Sequence, residues 1–201
     1  MVFHLRRPEA AEIEAAITAA SASGVGSPHL LSLATGPEGR NRPFAFVHDC
    51  LRSRIGEGSA AFTAARRAFA GWAEFDLGWV RVANPEASIA PGQIVVVEAK
   101  AFGLWSLNLS RIVETVDTAT RFGFVYSTTA RHVEEGEEIF LLELDPADGG
   151  VWYHLEAISR PRHPLSRLAY PFTRALQHRF ARESHGRMRA AVQAEVGGPS
   201  L

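Results

Sequence analysis

Residues 120–145 read TRFGFVYSTTARHVEEGEEIFLLELD. Both halves of this stretch are rich in apolar and aromatic side chains, a composition typical of β-strands, and in the first half Phe122, Phe124 and Tyr126 recur at every second position. The connection at Ala130–Gly136 is short, whereas a parallel pair of strands needs a crossover of about a dozen residues or more. The stretch therefore predicts a hairpin of two antiparallel strands, in which Phe122, Phe124 and Tyr126 share one strand face.

The period of two continues on both sides of this hairpin, from about Gly78 to Ser159. Short connections separate the apolar runs, so we expect a meander of neighbouring antiparallel strands. An earlier strand leads through a glycine turn into a helix, on which Phe62 and Phe69 share one apolar stripe. The predicted strands are 44–54, 78–83, 93–101, 106–117, 120–129, 137–145 and 150–159.

After the meander the period becomes helical. Apolar residues recur at helical spacing from Leu165 to Ala191, which predicts a long C-terminal helix that starts at Pro164 and is bent or restarted at Pro171. An antiparallel sheet and a long amphipathic helix predict an α+β fold in which the helix lies in the concave face of a curved sheet. Because one helix does not always fill such a trough, a mostly apolar cavity is expected between sheet and helix.

The N-terminal part has a different pattern. Residues 8–21 predict a helix, and the loop that follows is broken by Gly, Pro and Ser. With 201 residues and 46% hydrophobic content, the chain is long enough for one well-buried core. We therefore expect a helix and loop extension at 1–43, a single domain at 44–195 and a flexible tail at 196–201.

Composition narrows the class of protein. The single cysteine, Cys50, excludes an intrachain disulfide and a four-cysteine metal site. No apolar run approaches the about 20 residues of a membrane helix, and the N-terminus has no apolar signal segment. We expect a soluble, cytoplasmic protein without a transmembrane segment. The sequence gives no indication of the oligomeric state.

Charge is unevenly distributed, although the net charge is only -1. The segment 134–156 is acidic, and the segment 160–189 is rich in arginine. A basic amphipathic helix can bind anionic partners, but the acidic segment offers an internal partner for the same arginines. Both interpretations stay open, and no specific nucleic-acid partner is expected.

Several motifs resemble one protein family. They lie within about residues 44–193 and are similar to the bacterial and plant domain-of-unknown-function family nineteen-ninety. The most specific is the Y-S-T-T-x-x-H-x-E-x-G-E-E-x-F run at 126–140. The others are GEGSAAF at 56–62, WAEFDLGWV at 72–80, PGQIVVVEA at 91–99, ISRP at 158–161 and LQHRFARES at 176–184.

The resemblance implies a fold related to the START and birch-pollen-allergen superfamily. These are helix-grip proteins, in which a curved antiparallel sheet is wrapped around a long C-terminal helix, and they bind lipids, sterols and other apolar molecules. The resemblance implies no biochemical activity, since the family is named for lacking one.

His132 lies in the predicted hairpin connection and has three interpretations. As a catalyst it would act as a general acid or base, oriented by Glu137 or Glu138, with Tyr126 or Thr128 as a hydrogen-bonding group. As a ligand-binding residue it would lie at the mouth of the cavity. As a structural residue it would form the turn, with the glutamates pairing with arginines across strands.

Other side chains extend this candidate site. Arg160 is placed to pair with a glutamate of the EEGEE run or with the anionic head of a ligand. His154 and Glu156 point to one strand face, but the chain has no HExxH or HxH motif, so we expect no metal and no cofactor. The predicted ligand-binding residues are Tyr126, Thr128, His132, Arg160, Trp79 and Trp105, and the catalytic candidates are His132 and Glu137.

Three functions follow from these patterns. The favoured one is a protein that binds a hydrophobic or amphipathic small molecule in the cavity without catalysis. The first alternative is a small-molecule enzyme of the cyclase or hydrolase type that uses His132 and a nearby glutamate. The second is a module whose arginine-rich helix binds anionic partners.

Overall fold

A computed structural model of the protein describes residues 3–24, 30–34, 43–130, 132, 134–162 and 170–197. In this part of the chain eight strands form one antiparallel sheet. They are β1 (Phe3–His4), β2 (Val47–Glu57), β3 (Val80–Val82), β4 (Ile94–Ala101), β5 (Leu104–Asp117), β6 (Arg121–Thr128), β7 (Glu134–Leu144) and β8 (Gly150–Pro161). The helices are α1 (Ala10–Ser21), α2 (Gly58–Ala70) and α3 (Tyr170–Val196), with a short 3-10 helix at Ala73–Phe75.

The sheet is a meander closed by its first long strand. Its order is β2-β8-β7-β6-β5-β4-β3, and β1 pairs with β5. Each strand from β3 to β8 therefore lies beside its neighbour in sequence, as the short connections predicted, and β2 returns to pair with β8. The predicted α+β architecture, a curved antiparallel sheet with a long C-terminal helix against it, is confirmed. The predicted helix start at Pro164 lies outside the described residues.

Several strand boundaries differ from the prediction by two or three residues, and the start of β7 is the one that affects the site. The segment 134–136 belongs to β7, where Glu134 and Gly136 pair with β8, and is not part of the turn. This strand position requires glycine because the backbone of β8 approaches closely: a Cβ at residue 136 would lie 2.2 Å from the carbonyl oxygen of Ile158. This longer strand places Glu134 on the same sheet face as Glu138, since alternate residues of a strand share a face.

The inner face of the sheet is filled at one end. There α2 and the second half of α3 pack against a cluster of buried aromatic rings, in which Phe124 and Phe140 are stacked with ring centroids 5.1 Å apart. Met188 and Val192 close the cluster from α3. The other rings of the cluster include Phe69, Trp72, Phe75 and Tyr153. Among the described residues, the inner face leaves space toward the first half of α3.

The outer face of the sheet is also covered. Helix α1 packs through Ile13 on Leu109 and its neighbours in β4 and β5. The segment 30–34 contributes Leu31 to a second buried cluster, which includes Ile139. The N-terminal part is thus packed onto the sheet. Its division from the rest of the chain at residue 43 remains a prediction, and residues 198–201 of the predicted tail lie outside the described residues.

Glu137 fastens this N-terminal segment. Its side chain lies on the outer face, is 1% exposed, and accepts hydrogen bonds through Oε2 from the backbone N–H groups of Leu30 and Leu31, at 2.7 and 2.8 Å. Removing the carboxylate would leave both donors without this acceptor. We expect Glu137→Ala to lower the free energy of unfolding by about 1–3 kcal/mol in urea titrations.

The matched control is Glu135, on the same face of β7. It pairs with Arg160, whose guanidinium is partly exposed to water. Such surface pairs contribute about 0–1 kcal/mol, so Glu135→Ala should cost less than Glu137→Ala. Equal losses in the two variants would show that the bonds to Leu30 and Leu31 do not stabilise the fold.

Candidate functional site

A cavity of about 890 Å³ lies between the sheet and the first half of α3. Strands β3, β4 and β5 form one wall, α3 forms the opposite wall, and β6 and β7 contribute one end. Most of the lining side chains are apolar. They include Trp79, Val97, Ala99, Leu104, Leu176 and Phe180. The arrangement provides a largely apolar chamber with access to a few polar groups.

Small side chains on two adjacent strands leave this volume open. Ala99 of β4 is directly opposite Ser106 of β5, and both line the cavity. Ala101 and Ser110 line it from the same two strands. Larger residues at these positions would extend into the chamber, because inner-face side chains stand roughly perpendicular to the sheet. The sequence therefore creates the cavity by having small residues where a packed core would have large ones.

Two exposed phenylalanines mark the opening of the cavity. Phe102 and Gly103 form the two-residue loop between β4 and β5, and both have positive φ, 52° and 80°, as a type I′ hairpin requires. Phe102 is 77% exposed and contacts Phe172 at the start of α3 in an edge-to-face arrangement, with centroids 5.9 Å apart. Both residues line the cavity. Its opening thus lies between the hairpin loop and α3.

Glu138 lies at the end of the cavity where its polar side chains are concentrated. Its Oε2 accepts a hydrogen bond from the hydroxyl of Tyr126 at 3.1 Å. Burial, the largest effect, raises the pKa of Glu138 to about 7, and the negative charge of Glu134 acts in the same direction. Glu138 is half-buried and lines the cavity. Near neutral pH its carboxyl group is therefore divided between the protonated and the ionised form.

Glu134 lies further along the same face of β7, nearer the end of the strand. Its Oε2 accepts a hydrogen bond from Nε2 of Gln177 in α3 at 2.7 Å. Its Oε1 is buried and has no hydrogen-bond partner among the residues that the structure describes. Burial raises the pKa of Glu134 above its ordinary value. The two carboxyl groups thus make this end of the cavity acidic.

His132 lies beside this acidic end and is a hydrogen-bond donor at neutral pH. Its Nδ1 accepts a hydrogen bond from the backbone N–H of Glu134 at 3.0 Å, so the neutral ring carries its proton on Nε2. Burial lowers the pKa of His132 to about 4. The ring is therefore neutral at pH 7, and it can donate a hydrogen bond through Nε2 to a molecule in the cavity.

The structure brings three of the predicted ligand-binding residues to the cavity. Tyr126 and His132 lie at the acidic end, and Trp79 lines the apolar part. The indole N–H of Trp79 donates to Glu183 at 2.6 Å, so its ring contributes mainly apolar surface. His132 therefore lies at the cavity, and its backbone N–H also donates to the carbonyl of Thr129.

The other predicted residues lie elsewhere. Arg160 points to the outer face, where it pairs with Glu135 at 2.9 Å. Trp105 also points outward, because it alternates along β5 with cavity-lining residues, and Lys100 lies over its ring. Thr128 is buried and its hydroxyl accepts the backbone N–H of Gly136. None of these three side chains lines the cavity.

The catalytic candidate Glu137 is likewise on the outer face, bound to the N-terminal segment, so the structure does not bring it to His132. The carboxyl groups that do line the cavity with His132 are those of Glu134 and Glu138. In the structure they share the face of Phe140, because Glu134 and Glu138 are an even number of residues from this inner-core residue and Glu137 is an odd number away. Among the described residues no group of His, Cys, Asp and Glu is arranged to hold a metal ion.

The arginines of α3 are mostly engaged within the protein. Four of the five donate to other groups of the chain: Arg174 to Asp49, Arg179 to Glu183, Arg187 to Asp76, and Arg189 to the carbonyl of Arg54. The arginine-rich face is thus largely compensated by acidic and carbonyl groups, but none of these four partners lies in the acidic segment 134–156 that the charge pattern suggested. Within the described part of the chain, no helix is long and apolar enough to cross a membrane.

Two curated relatives are similar over most of their length. The UPF0548 protein of Dictyostelium discoideum is 35% identical over 158 residues, which are 73% of this chain and 73% of that protein. The UPF0548 protein of Deinococcus radiodurans is 40% identical over 142 residues, which are 65% of this chain and 71% of that protein. Neither name states a ligand or an activity.

Solved structures with the same fold include the Zhui aromatase/cyclase from a Streptomyces species. It superposes with a TM-score of 0.51 at 12% sequence identity and covers 77% of this chain and 99% of that chain. At this identity the likeness shows the fold alone, and it confirms the predicted helix-grip architecture. The family described as "Domain of unknown function (DUF1990)" matches residues 32–187, and the chain belongs to this family.

Proposed function

We propose that the protein binds a hydrophobic or amphipathic small molecule in the cavity between the sheet and α3. The observation that carries this proposal is the cavity itself, of about 890 Å³ with a mostly apolar lining. Ligand pockets typically have about 300–1,000 Å³ and a few polar groups among apolar ones. A core that serves only to stabilise the fold would fill a space of this size with side chains, because protein interiors are close-packed.

The polar end gives such a molecule an orientation. Tyr126, His132 and Glu138 lie together there, while the opening is bordered by Phe102 and Phe172. A long apolar molecule can therefore place its polar group at the acidic end and its apolar part along β4, β5 and α3. This division is the one expected for an amphipathic ligand, since hydrogen bonds fix the orientation and apolar contacts supply most of the affinity.

A second candidate function is acid–base catalysis on the bound molecule. It is favoured by the position of Glu138, whose carboxyl group lines the cavity beside the hydroxyl of Tyr126 and whose pKa burial raises to about 7, because a carboxyl group is most effective in proton transfer when its pKa is near the working pH. In this candidate Glu138, and not Glu137, would accept or donate the proton, with His132 as a hydrogen-bond donor. Mass spectrometry of the bound small molecule before and after incubation with the protein separates the two functions: an unchanged mass indicates binding alone, and a changed mass indicates turnover.

Filling the cavity tests the binding proposal. We expect Ala99→Phe to weaken the binding of a neutral apolar dye, N-phenylnaphthylamine, by about tenfold or more, which corresponds to about 1.4 kcal/mol. The reason is steric: the added ring enters the space between Ala99 and Ser106. Dye fluorescence during titration gives the affinity, and thermal unfolding verifies that the variant is folded.

The control is Lys100→Phe, which adds the same side chain at the next position of β4, on the exposed outer face. It should leave the dye affinity unchanged. If Ala99→Phe folds and binds the dye as tightly as Lys100→Phe does, the dye does not occupy the cavity and the proposed function loses its support.

A further inference from the structure

We propose that the molecule in the cavity carries a protonated amine, which pairs with the carboxylate of Glu138. This inference rests on the proposed function and specifies the chemical class of the ligand. It follows from the charges around the cavity, the hydrogen-bond partners of its carboxyl groups and the position of the nearest cation.

The charged groups of the cavity are mainly acidic. Glu134 and Glu138 both line it on the inner face of β7. Among the described residues of the lining, Arg162 has the only permanently positive side chain, and it is exposed to water just after β8. A cation supplied by a ligand would therefore meet carboxyl groups inside the cavity, whereas an anion would be repelled by them.

Glu138 has capacity for such a partner. Its Oε2 is occupied by the hydroxyl of Tyr126, and no donor among the described residues reaches its Oε1. By contrast, Asp49 and Glu135 are each paired with an arginine, Arg174 and Arg160. A buried carboxylate without a charged partner is unfavourable, and an ammonium group would supply both the charge and the hydrogen-bond donors that it lacks.

Glu134 makes the preference for a cation stronger. It is 6% exposed, its Oε1 is buried without a hydrogen-bond partner among the described residues, and it lies on the same strand face as Glu138. The amide of Gln177 satisfies only its Oε2. A second carboxyl group nearby raises the electrostatic penalty for an anionic ligand, and it adds to the attraction for an amine.

Binding of an amine should depend on pH. The pairing needs the ionised form of Glu138. Because the pKa of this carboxyl group is about 7, part of the protein without ligand carries a protonated Glu138 near neutral pH. Amine binding therefore releases a proton, and its affinity should increase from pH 6 to pH 8. The titratable and charged groups that surround Glu138 are Tyr126 of β6, Glu134 of β7, Tyr153 of β8, Asp49 of β2, Arg174 of α3, and His132 and Arg162.

The experiment compares three molecules with the same alkyl chain: octylamine, octanol and octanoic acid. Each is titrated against the protein loaded with N-phenylnaphthylamine, at pH 6 and pH 8, and displacement of the dye gives the apparent affinity. At pH 8 we expect octylamine to bind about tenfold more tightly than octanol, because a charge-assisted hydrogen bond is stronger than a neutral one, and octanoate to bind most weakly.

Two variants assign this preference to Glu138. Glu138→Gln, which keeps the shape and the acceptor to Tyr126, should reduce octylamine binding about tenfold and remove the preference for octylamine over octanol. Glu135→Gln, on the opposite face of the same strand, should leave both unchanged. Circular dichroism checks that both variants are folded.

The outcomes separate the two proposals. If octanol binds as tightly as octylamine, or octanoate binds most tightly, the amine inference is overturned while the proposed function stands. The same holds if Glu138→Gln keeps the preference for octylamine. If neither the dye nor any of the three molecules binds, the proposed function fails, and the inference fails with it.

Discussion

Replacing Phe140 with alanine is expected to lower the free energy of unfolding by about 3–5 kcal/mol, since that is the usual cost of removing a buried aromatic ring. Phe140 is completely buried in the middle of β7. Its ring stacks on Phe124 and contacts Phe75, with centroid distances of 5.1 and 5.2 Å. The centroid of its ring is 5.3 Å from that of Tyr126, which lines the cavity. Phe140 therefore lies at the boundary between the packed aromatic cluster and the cavity.

Urea unfolding of the wild type and two variants measures this effect. Phe140→Leu keeps much of the apolar volume, and we expect it to cost about 1–2 kcal/mol. The difference in the free energy of unfolding between the leucine and alanine variants measures the cost of the void that the missing ring leaves. If Phe140→Ala costs no more than Phe140→Leu, the surrounding rings collapse into the space, and Phe140 does not hold the cavity boundary in place.

Most of the fold could be predicted from local sequence. The predicted strand at 120–129 is observed at Arg121–Thr128, and the one at 150–159 is observed at Gly150–Pro161. Alternation and short connections are enough for this result, because neighbouring strands of a meander pair with each other and each pairing is fixed by the turn between them. The long helix after the meander then has one place to bury its apolar stripe, the concave face of the sheet.

The candidate site could be predicted only in part, because β7 is buried on both faces. Phe140 faces the inner core, while Ile139 and Leu141 face the cluster on the outer side. Apolar residues therefore occur at both parities, and alternation alone cannot say whether Glu137 or Glu138 points inward. Alternation likewise does not show which face Trp105 occupies, because aromatic residues occur on both faces of the sheet.

The outer face of β7 is apolar because the N-terminal segment 30–34 packs on it. The segment 30–34 reaches β7 from more than a hundred residues away in sequence, through the bonds of Leu30 and Leu31 to Glu137. No local pattern in the sequence predicts such a contact. Without it the outer face of β7 would be expected to be polar, and the run EEGEE would be taken for a turn.

Glu138→Gln is expected to change the pH dependence of stability by about 2–3 kcal/mol between pH 5 and pH 8. Folding raises the pKa of Glu138 from its ordinary value of 4.5 to about 7, mainly through burial. Between these values the folded protein keeps a proton that the unfolded chain has lost. The contribution of Glu138 to stability is therefore full below about pH 4.5, decreases as the pH rises, and is lost above about pH 7.

Histidines act in the opposite direction. Burial lowers the pKa values of His132 and His185 from 6.5 to about 4, so the stability that comes from their neutral forms is lost as the pH falls through this interval. The total stability of the wild type thus combines opposing effects. The difference between the wild type and Glu138→Gln cancels the contribution of His185 and most of that of His132, and it isolates the glutamate.

Urea unfolding at pH 5, 6, 7 and 8 measures this difference. Relative to the wild type, Glu138→Gln should become more stable as the pH rises, because glutamine has no proton to lose. Tyr126→Phe should act oppositely: the Tyr126 hydroxyl stabilises the ionised carboxylate, so its removal raises the pKa of Glu138 further and steepens the loss of stability toward pH 8. A difference that stays constant across this range would mean that Glu138 titrates as an ordinary glutamate, and its part in acid–base chemistry and in the pH dependence of amine binding would be lost together.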